Sequence, residues 1–160
     1  MTRGWVQGEW TAVGRGTMRP MHDLPPWAHE LLRTARVAHL GLTDDAGRPR
    51  VLPITFALTA TAVVSAVDDK PKRKPGAELA RVRWLRRNPA AAITADRYDD
   101  DWSALAWVQL LGDITIADPA DHPGALRALE DKYAPYRAQA PRGPLLLLRP
   151  ERALHWRARA

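Results

Sequence analysis

Cysteine is absent from the 160 residues. That excludes disulfides, thiolate metal ligation and a cysteine nucleophile together, and it suits a reducing, cytoplasmic setting. Long apolar runs are missing as well. The longest near the C-terminus, Leu145 to Leu148, falls far short of the roughly 20 residues a membrane-spanning helix requires, so no membrane partner is expected. The five histidines, His22, His29, His39, His122 and His155, show no metal-ligand spacing with one another or with carboxylates, and no metal site is expected. No GxSxG occurs to supply an acyl-transfer nucleophile. The single GRG, Gly14 to Gly16, has neither the preceding strand nor the following helix of a dinucleotide fingerprint. Acid clusters at Asp44–Asp45 and Asp99–Asp101 fall in turns and read as loop and strand-edge charges rather than a catalytic dyad. The first 20 residues lack an apolar core of signal-peptide length. They are expected to form a disordered tail, with Met18 or Met21 as alternative starts, ahead of a single domain over residues 21–160.

What the chain does contain is a concentrated positive charge. From Lys70 to Arg87 there are eight cations and one anion, a local charge of +7 against +6 for the whole protein. The basic character therefore comes from one short window. A field of this kind attracts nucleic acid, anionic membrane, or a phosphorylated or polycarboxylate small molecule. The window holds one aromatic, Trp84, and no helix-turn-helix or zinc finger, so the stacking platforms and groove readers of a nucleic-acid module are lacking. A hydrophobic fraction of 46% with 26% charged residues is that of a globular chain rather than a disordered one. Its length suits one core burying about two-thirds of the unfolded surface.

Periodicity divides the chain into short elements. The prolines and apolar residues of DLPPWAHELLRTAR predict a helix at about residues 26–35. VAHLGLT, DDAGRP and RVLPITFAL read as strand, tight turn and strand. In the second strand Leu52, Ile54, Phe56 and Leu58 share one face, leaving Val51, Pro53, Thr55 and Ala57 on the other. A third strand at residues 62–67 runs into the basic window, and AELARVRWLRRNP predicts a second helix ending near Asn88 and Pro89. Strands follow at AAAITAD, ALAWVQLLGDITIAD, PLLLLRP and ALHWRA, with a helix, DHPGALRALEDKYA, started by Asp121 and Pro123. Strands joined by short turns imply antiparallel pairing. The expected fold is mainly β with marginal helices, a small antiparallel barrel of about seven strands. Seven tryptophans are many for this length. Trp102 and Trp107, on either side of the start of a long strand, are placed where they could flank a planar ligand.

ARVAHLGLTDDAGRPRVLPITF, SAVDDKPKR, WLRRNPAAAIT and YDDDWSALAWVQLLGDI, in this order and spacing, together resemble the split-barrel flavin and deazaflavin oxidoreductases. This is the superfamily of pyridoxamine-phosphate oxidase. Within it the chain resembles the coenzyme F-420 branch, including deazaflavin-dependent biliverdin reductases, over about residues 27–156. The resemblance implies a dimeric split β-barrel holding its cofactor in a groove between two subunits. It places the ring along Pro53, Ile54, Thr55 and Phe56 and at Ser65, Ala66 and Val67, and Trp107 is taken with them as a candidate cofactor-binding residue from its place on the long strand. Lys70, Lys72, Arg73 and the more distant Arg81 would hold the phosphodiester and polyglutamate tail, although Arg81 stands where many relatives have lysine. The implied activity is hydride transfer from reduced F-420 to an organic acceptor, biliverdin or a related conjugated molecule. No side-chain nucleophile is required for it. FMN is the alternative cofactor, and its shorter tail needs fewer cations.

Overall fold

The structure, a computed structural model, describes residues 11–13, 21–67 and 79–158. The elements run β1 (Thr11–Val13), α1 (Pro26–Thr34), β2 (Ala38–Thr43), β3 (Pro49–Ile54), β4 (Ala57–Leu58), β5 (Val63–Ala66), α2 (Ala80–Arg87), β6 (Ala90–Arg97), β7 (Ala106–Ala117), α3 (Pro123–Lys132), α4 (Ala134–Ala138) and β8 (Leu145–Arg157). Every strand pairing is antiparallel, along the path β3-β2-β6-β7-β8-β5-β4, with β1 paired to β8. Thr11–Val13 thus form a strand within the stretch expected to be an unstructured tail; the rest of that stretch lies outside the described residues.

The connection from β3 to β4 dictates the shape. RVLPITFAL, expected as one strand, is two, and they stand at opposite ends of the sheet path. Laid flat, seven strands at about 4.8 Å spacing would separate those ends by about 29 Å. Thr55 and Phe56 alone link them, and three extended residue steps reach no more than about 11 Å. The sheet must curl until its edges meet. At this seam the backbone of Phe56 leaves the ladder. Its N–H donates to Tyr133 Oη (3.0 Å), and the Tyr133 hydroxyl, donating in turn, faces the carbonyl oxygens of Phe56 (3.0 Å) and Arg36 (2.9 Å). Burial pushes the Tyr133 phenol up, which keeps that proton in place. Tyr136 Oη lies 2.8 Å from Thr55 Oγ1. Two tyrosines from the end of α3 and from α4 thus latch the seam.

Inside the curl, Leu40, Phe56, Ile93, Leu110 and Leu148 are fully buried, covered by Leu31 and Leu32 of α1. A second cluster lies between β5, β8 and α3, where Val64, Leu145 and Leu147 meet Leu129 and the latch tyrosines. The first half of β8 is therefore buried on both faces, and this is why Leu145 to Leu148 read as an unbroken apolar run.

Two turns show local chemistry setting the path. Between β2 and β3, Asp44 Oδ1 accepts from the N–H groups of Ala46 (2.9 Å) and Arg48 (3.0 Å), and Gly47 takes φ +73°. Burial alone pushes the Asp44 carboxyl up, but these N–H bonds and the Arg48 guanidinium hold it below the usual carboxylate value. PLLLLRP and ALHWRA, expected as two strands, are one. Pro150 and Glu151 do not break it; the register against β7 shifts between Leu111 and Gly112, so that Leu111 faces Arg152 and Gly112 faces Pro150. The extra residue makes a bulge, and the strand carries on. The third helix is entered through a turn capped by Asp118, which accepts from Ala120 N, and its own cap position is His122 rather than Asp121.

Lys132 ends α3 against the seam. Its Nζ donates to Leu32 O (3.1 Å) and sits 3.7 Å from the centroid of the Phe56 ring. Burial, then repulsion from Arg36 and Arg33, lower its pKa from 10.5 to about 8. The folded amine therefore gives up its proton before the unfolded one does, and holding it charged costs stability below about pH 8. That cost lifts as pH rises toward 10.5. Relative to Lys132→Met, the wild-type chain should gain stability between those two pH values. Urea unfolding across the interval checks this, and a constant difference between the two proteins would refute it.

Candidate functional site

Alternation along the central strands turns one row of side chains inward and the next outward. Leu40, Ile93, Val108 and Ala153 face the core. Pro53, His39, Thr94, Gln109 and Leu154 therefore stand in one outward row across β3, β2, β6, β7 and β8, through successive cross-strand pairings. The adjacent row is Val51, Gly41, Ala92, Leu111 and Arg152. Gly41 and Ala92 are opposite one another, so the middle of this face is a low shelf with little side chain above the backbone. Val51, two-thirds exposed, is left uncovered at its rim. Polar groups border the shelf: Gln109 Nε2 donates to Thr94 Oγ1 (3.1 Å), and His39 Nδ1 lies 3.6 Å from Asp96 Oδ1. Trp107 faces Trp156 across β7 and β8.

Not all residues expected to carry a ring present their side chains to this face. Pro53 does, and Thr55 is half-buried with its hydroxyl engaged by Tyr136. Ile54 and Phe56 point into the core, as their alternation with Pro53 requires. Ser65, Ala66 and Val67 are buried at the end of β5, where Val67 N donates to Pro144 O (3.0 Å). Trp107 is half-buried on the outward face. Trp102 is exposed, in a short turn whose cap, Asp101, accepts from Ser103 N and Oγ. Those bonds, the Ser103 hydroxyl first, hold the Asp101 carboxyl below its ordinary value.

Lys70, Lys72, Arg73 and Lys74 lie outside the described residues. The rest of the basic window is on α2. Arg83 and Arg87 both pair with Asp45, at 3.0 and 3.1 Å, tying α2 to the β2–β3 turn. Arg50 covers Trp84 at 5.2 Å. Much of the positive field on the helix is thus spent on its own docking. Arg81, half-buried in its first turn, has no ion pair among the described residues. No group of His, Cys, Asp or Glu able to hold a metal occurs among the described residues, nor does a helix long and apolar enough to cross a membrane.

Reading the sequence passed over Lys132, Tyr133 and Tyr136. The signal present was two of the chain's three tyrosines set around Pro135, immediately after an amphipathic helix.

A mainly antiparallel sheet curled into a barrel whose edges are joined only by a seam, with helices at its margins, defines the split-barrel class of flavin-binding fold. The sequence matches the family model of pyridoxamine 5'-phosphate oxidase over residues 26–152, and the chain belongs to that family. Its fold is similar to that of a FAD-binding protein from Mesorhizobium loti (TM-score 0.62, 14% identity, 94% of this chain and 99% of that one). It is also similar to a general-stress-protein-26-related protein of the pyridoxinephosphate oxidase family from Clostridium acetobutylicum (TM-score 0.59, 17% identity, 82% and 86%). A third likeness is to a heme-binding protein from Mycobacterium smegmatis (TM-score 0.62, 24% identity, 83% and 55%). No curated protein matches the chain in sequence.

Proposed function

We propose that the protein is an F-420-dependent oxidoreductase that delivers a hydride to an organic acceptor, biliverdin or a related conjugated molecule, from a cofactor held on the outward face of the sheet. The supporting observation is the low shelf at Gly41 and Ala92, in a chain whose residues 70–87 carry eight cations. A flat ring needs close approach to backbone, and a phosphodiester with a polyglutamate tail needs several cations. The residues present suit both demands. When bound, the reduced deazaflavin supplies a hydride from its C5. The protein's share is positioning and exclusion of water. Pro53 and the Gly41–Ala92 pair offer the ring a surface, while Thr94 and Gln109 border it with polar groups. Lys70, Lys72, Arg73 and Arg81 neutralise the tail.

The shelf is partly exposed, and Val51 at its rim is mostly exposed. In this reading a second copy closes the site, making the protein a homodimer. A cofactor-binding monomer in sedimentation would defeat that part.

FMN is the second reading, favoured by membership of the pyridoxamine 5'-phosphate oxidase family and by the FAD-binding protein among the similar folds. Separate titrations with F-420 and FMN, followed by tryptophan fluorescence, separate the two. F-420 should bind more tightly; micromolar FMN binding with no detectable F-420 binding reverses the order. Changing Lys70 and Lys72 together to alanine should then weaken the cofactor at least about tenfold, a loss of about 1.4 kcal/mol. Stability should move by no more than about 0.5 kcal/mol. Lys74→Ala is the control. If it weakens binding as much as the double change does, the attraction is general and not made by particular residues.

A further inference from the structure

Apart from the outward sheet face, a cleft of about 600 Å³ opens between the C-terminal end of α1, β4 and α3. Three cations line it, Arg33, Arg36 and Lys132, against one carboxylate, Asp131, and its apolar wall is Ala57, Leu58 and Ala128. We propose that this cleft binds a small organic phosphate, its phosphoryl group taken by Arg36 and Lys132 and its body lying against Leu58.

The cations are unequal in what holds them. Arg33 is matched by Glu30, at 2.7 and 2.9 Å through both carboxylate oxygens. Arg36 and Lys132 have no carboxylate within 4 Å among the described residues, and Asp131, although in the same wall, pairs with neither. Both are nevertheless fixed in place. Arg36 Nη1 donates to Lys132 O (2.6 Å), and its guanidinium lies 4.5 Å from the centroid of the Tyr133 ring. Lys132 Nζ spends one of its three N–H groups on Leu32 O and rests on Phe56.

The fold therefore holds two positive charges in adjoining positions, one of them half out of water, and among the described residues provides no anion between them. Their mutual repulsion is visible in the lowered pKa of the amine, after burial the next cause. A ligand with two negative charges removes that repulsion and uses donors that are already oriented. A phosphate monoester carries about −1.5 to −2 near neutral pH, a match that a single carboxylate does not reach. Arginine offers it a planar fork and lysine a compact charge. The apolar wall selects an ester over inorganic phosphate, because Leu58 and Ala57 gain only from an organic group.

The test uses calorimetric titration of the full chain at low ionic strength, with phenyl phosphate and inorganic phosphate as probes. Wild-type protein should bind phenyl phosphate saturably and several-fold more tightly than inorganic phosphate. Lys132→Met, which keeps an apolar stem over Phe56, should weaken phenyl phosphate at least tenfold. The Lys70/Lys72 double alanine variant should leave it unchanged. No saturable binding, equal affinity for the two probes, unchanged affinity in Lys132→Met, or loss in the double variant each overturns the proposal; the last would place the binding in the basic window. A second measurement needs no substitution. Acetic anhydride labelling of Lys132, followed by peptide mapping, should slow at least fivefold when phenyl phosphate saturates the protein, and an unchanged rate counts against the site.

Discussion

Tyr133→Phe should cost about 2–4 kcal/mol of stability while leaving the ring packing intact. The substitution removes one oxygen. That oxygen accepts from Phe56 N–H at 3.0 Å and donates toward the carbonyls of Phe56 and Arg36, in a seam where Phe56 is fully buried. None of these three backbone groups has a ladder partner among the described residues to fall back on. Leaving a buried donor or acceptor unsatisfied costs about 1–3 kcal/mol each, and the estimate sums two such losses after partial relaxation. For a domain of this size the melting temperature should fall by about 5–12 °C. Tyr136→Phe is the comparison. It breaks one contact between side chains, with Thr55 Oγ1 at 2.8 Å in a part-buried setting, and should cost about 1 kcal/mol. Equal losses in the two variants, or a loss under about 0.5 kcal/mol in Tyr133→Phe, would show that water or a shifted backbone replaces the latch.

Gly112→Ala should be nearly as damaging, by another route. A Cβ at this position would lie 2.2 Å from Arg149 O and 3.2 Å from Glu151 N, both backbone atoms of the bulge in β8. No rotamer change relieves such a clash. Either the bulge moves, or the longest pairing in the sheet separates locally. Overpacking of this kind costs about 1–3 kcal/mol, and the upper half of that range is expected because the obstacle is main chain. Gly124→Ala gives the opposite sign. Near the start of α3, the nearest atom to an added Cβ is the flexible Arg127 Nη2, at 3.9 Å, and replacing a helical glycine should stabilise by up to about 1 kcal/mol. Chemical denaturation of both variants reads the two effects with one method, and a Gly112→Ala chain as stable as the parent would refute the close approach.

Which parts were legible from residue order follows from the range of each interaction. Helix α1 and the β2–β3 hairpin were, because Pro26, Asp44 and Gly47 act within a few residues of themselves. The split of RVLPITFAL into β3 and β4 was not: apolar and other residues alternate through it without a break, and only the partners of each half separate them. Pro150 and Glu151 carried the sign of a turn, yet the β7 partner continues past them and absorbs one residue as a bulge. The latch joins residues 77 and 81 positions apart, a distance at which spacing holds no information. In the candidate site, alternation already put Pro53 and Phe56 on opposite faces, but did not tell which of the two turns to the core. The pairing of Arg83 and Arg87 with Asp45, about forty residues away, had no local trace, and the basic window therefore read as more available than its helical part is.

The ends of the sheet path bear on how the chain behaves before it is fully assembled. Among the described residues β3 pairs on one side only, and an unpaired strand edge invites another chain to add to it. Two of the six residues of β3 are proline, Pro49 and Pro53, and Arg50 stands between them. Proline offers no N–H to an incoming strand, and a charge resists being stacked against its own copy. At the other end β4 is only two residues long, too short to serve as a template. These two ends of the described sheet path thus offer a neighbour little on which to extend the ladder. Replacing Pro49 and Pro53 by residues with an N–H should therefore make the chain more prone to aggregate at high concentration.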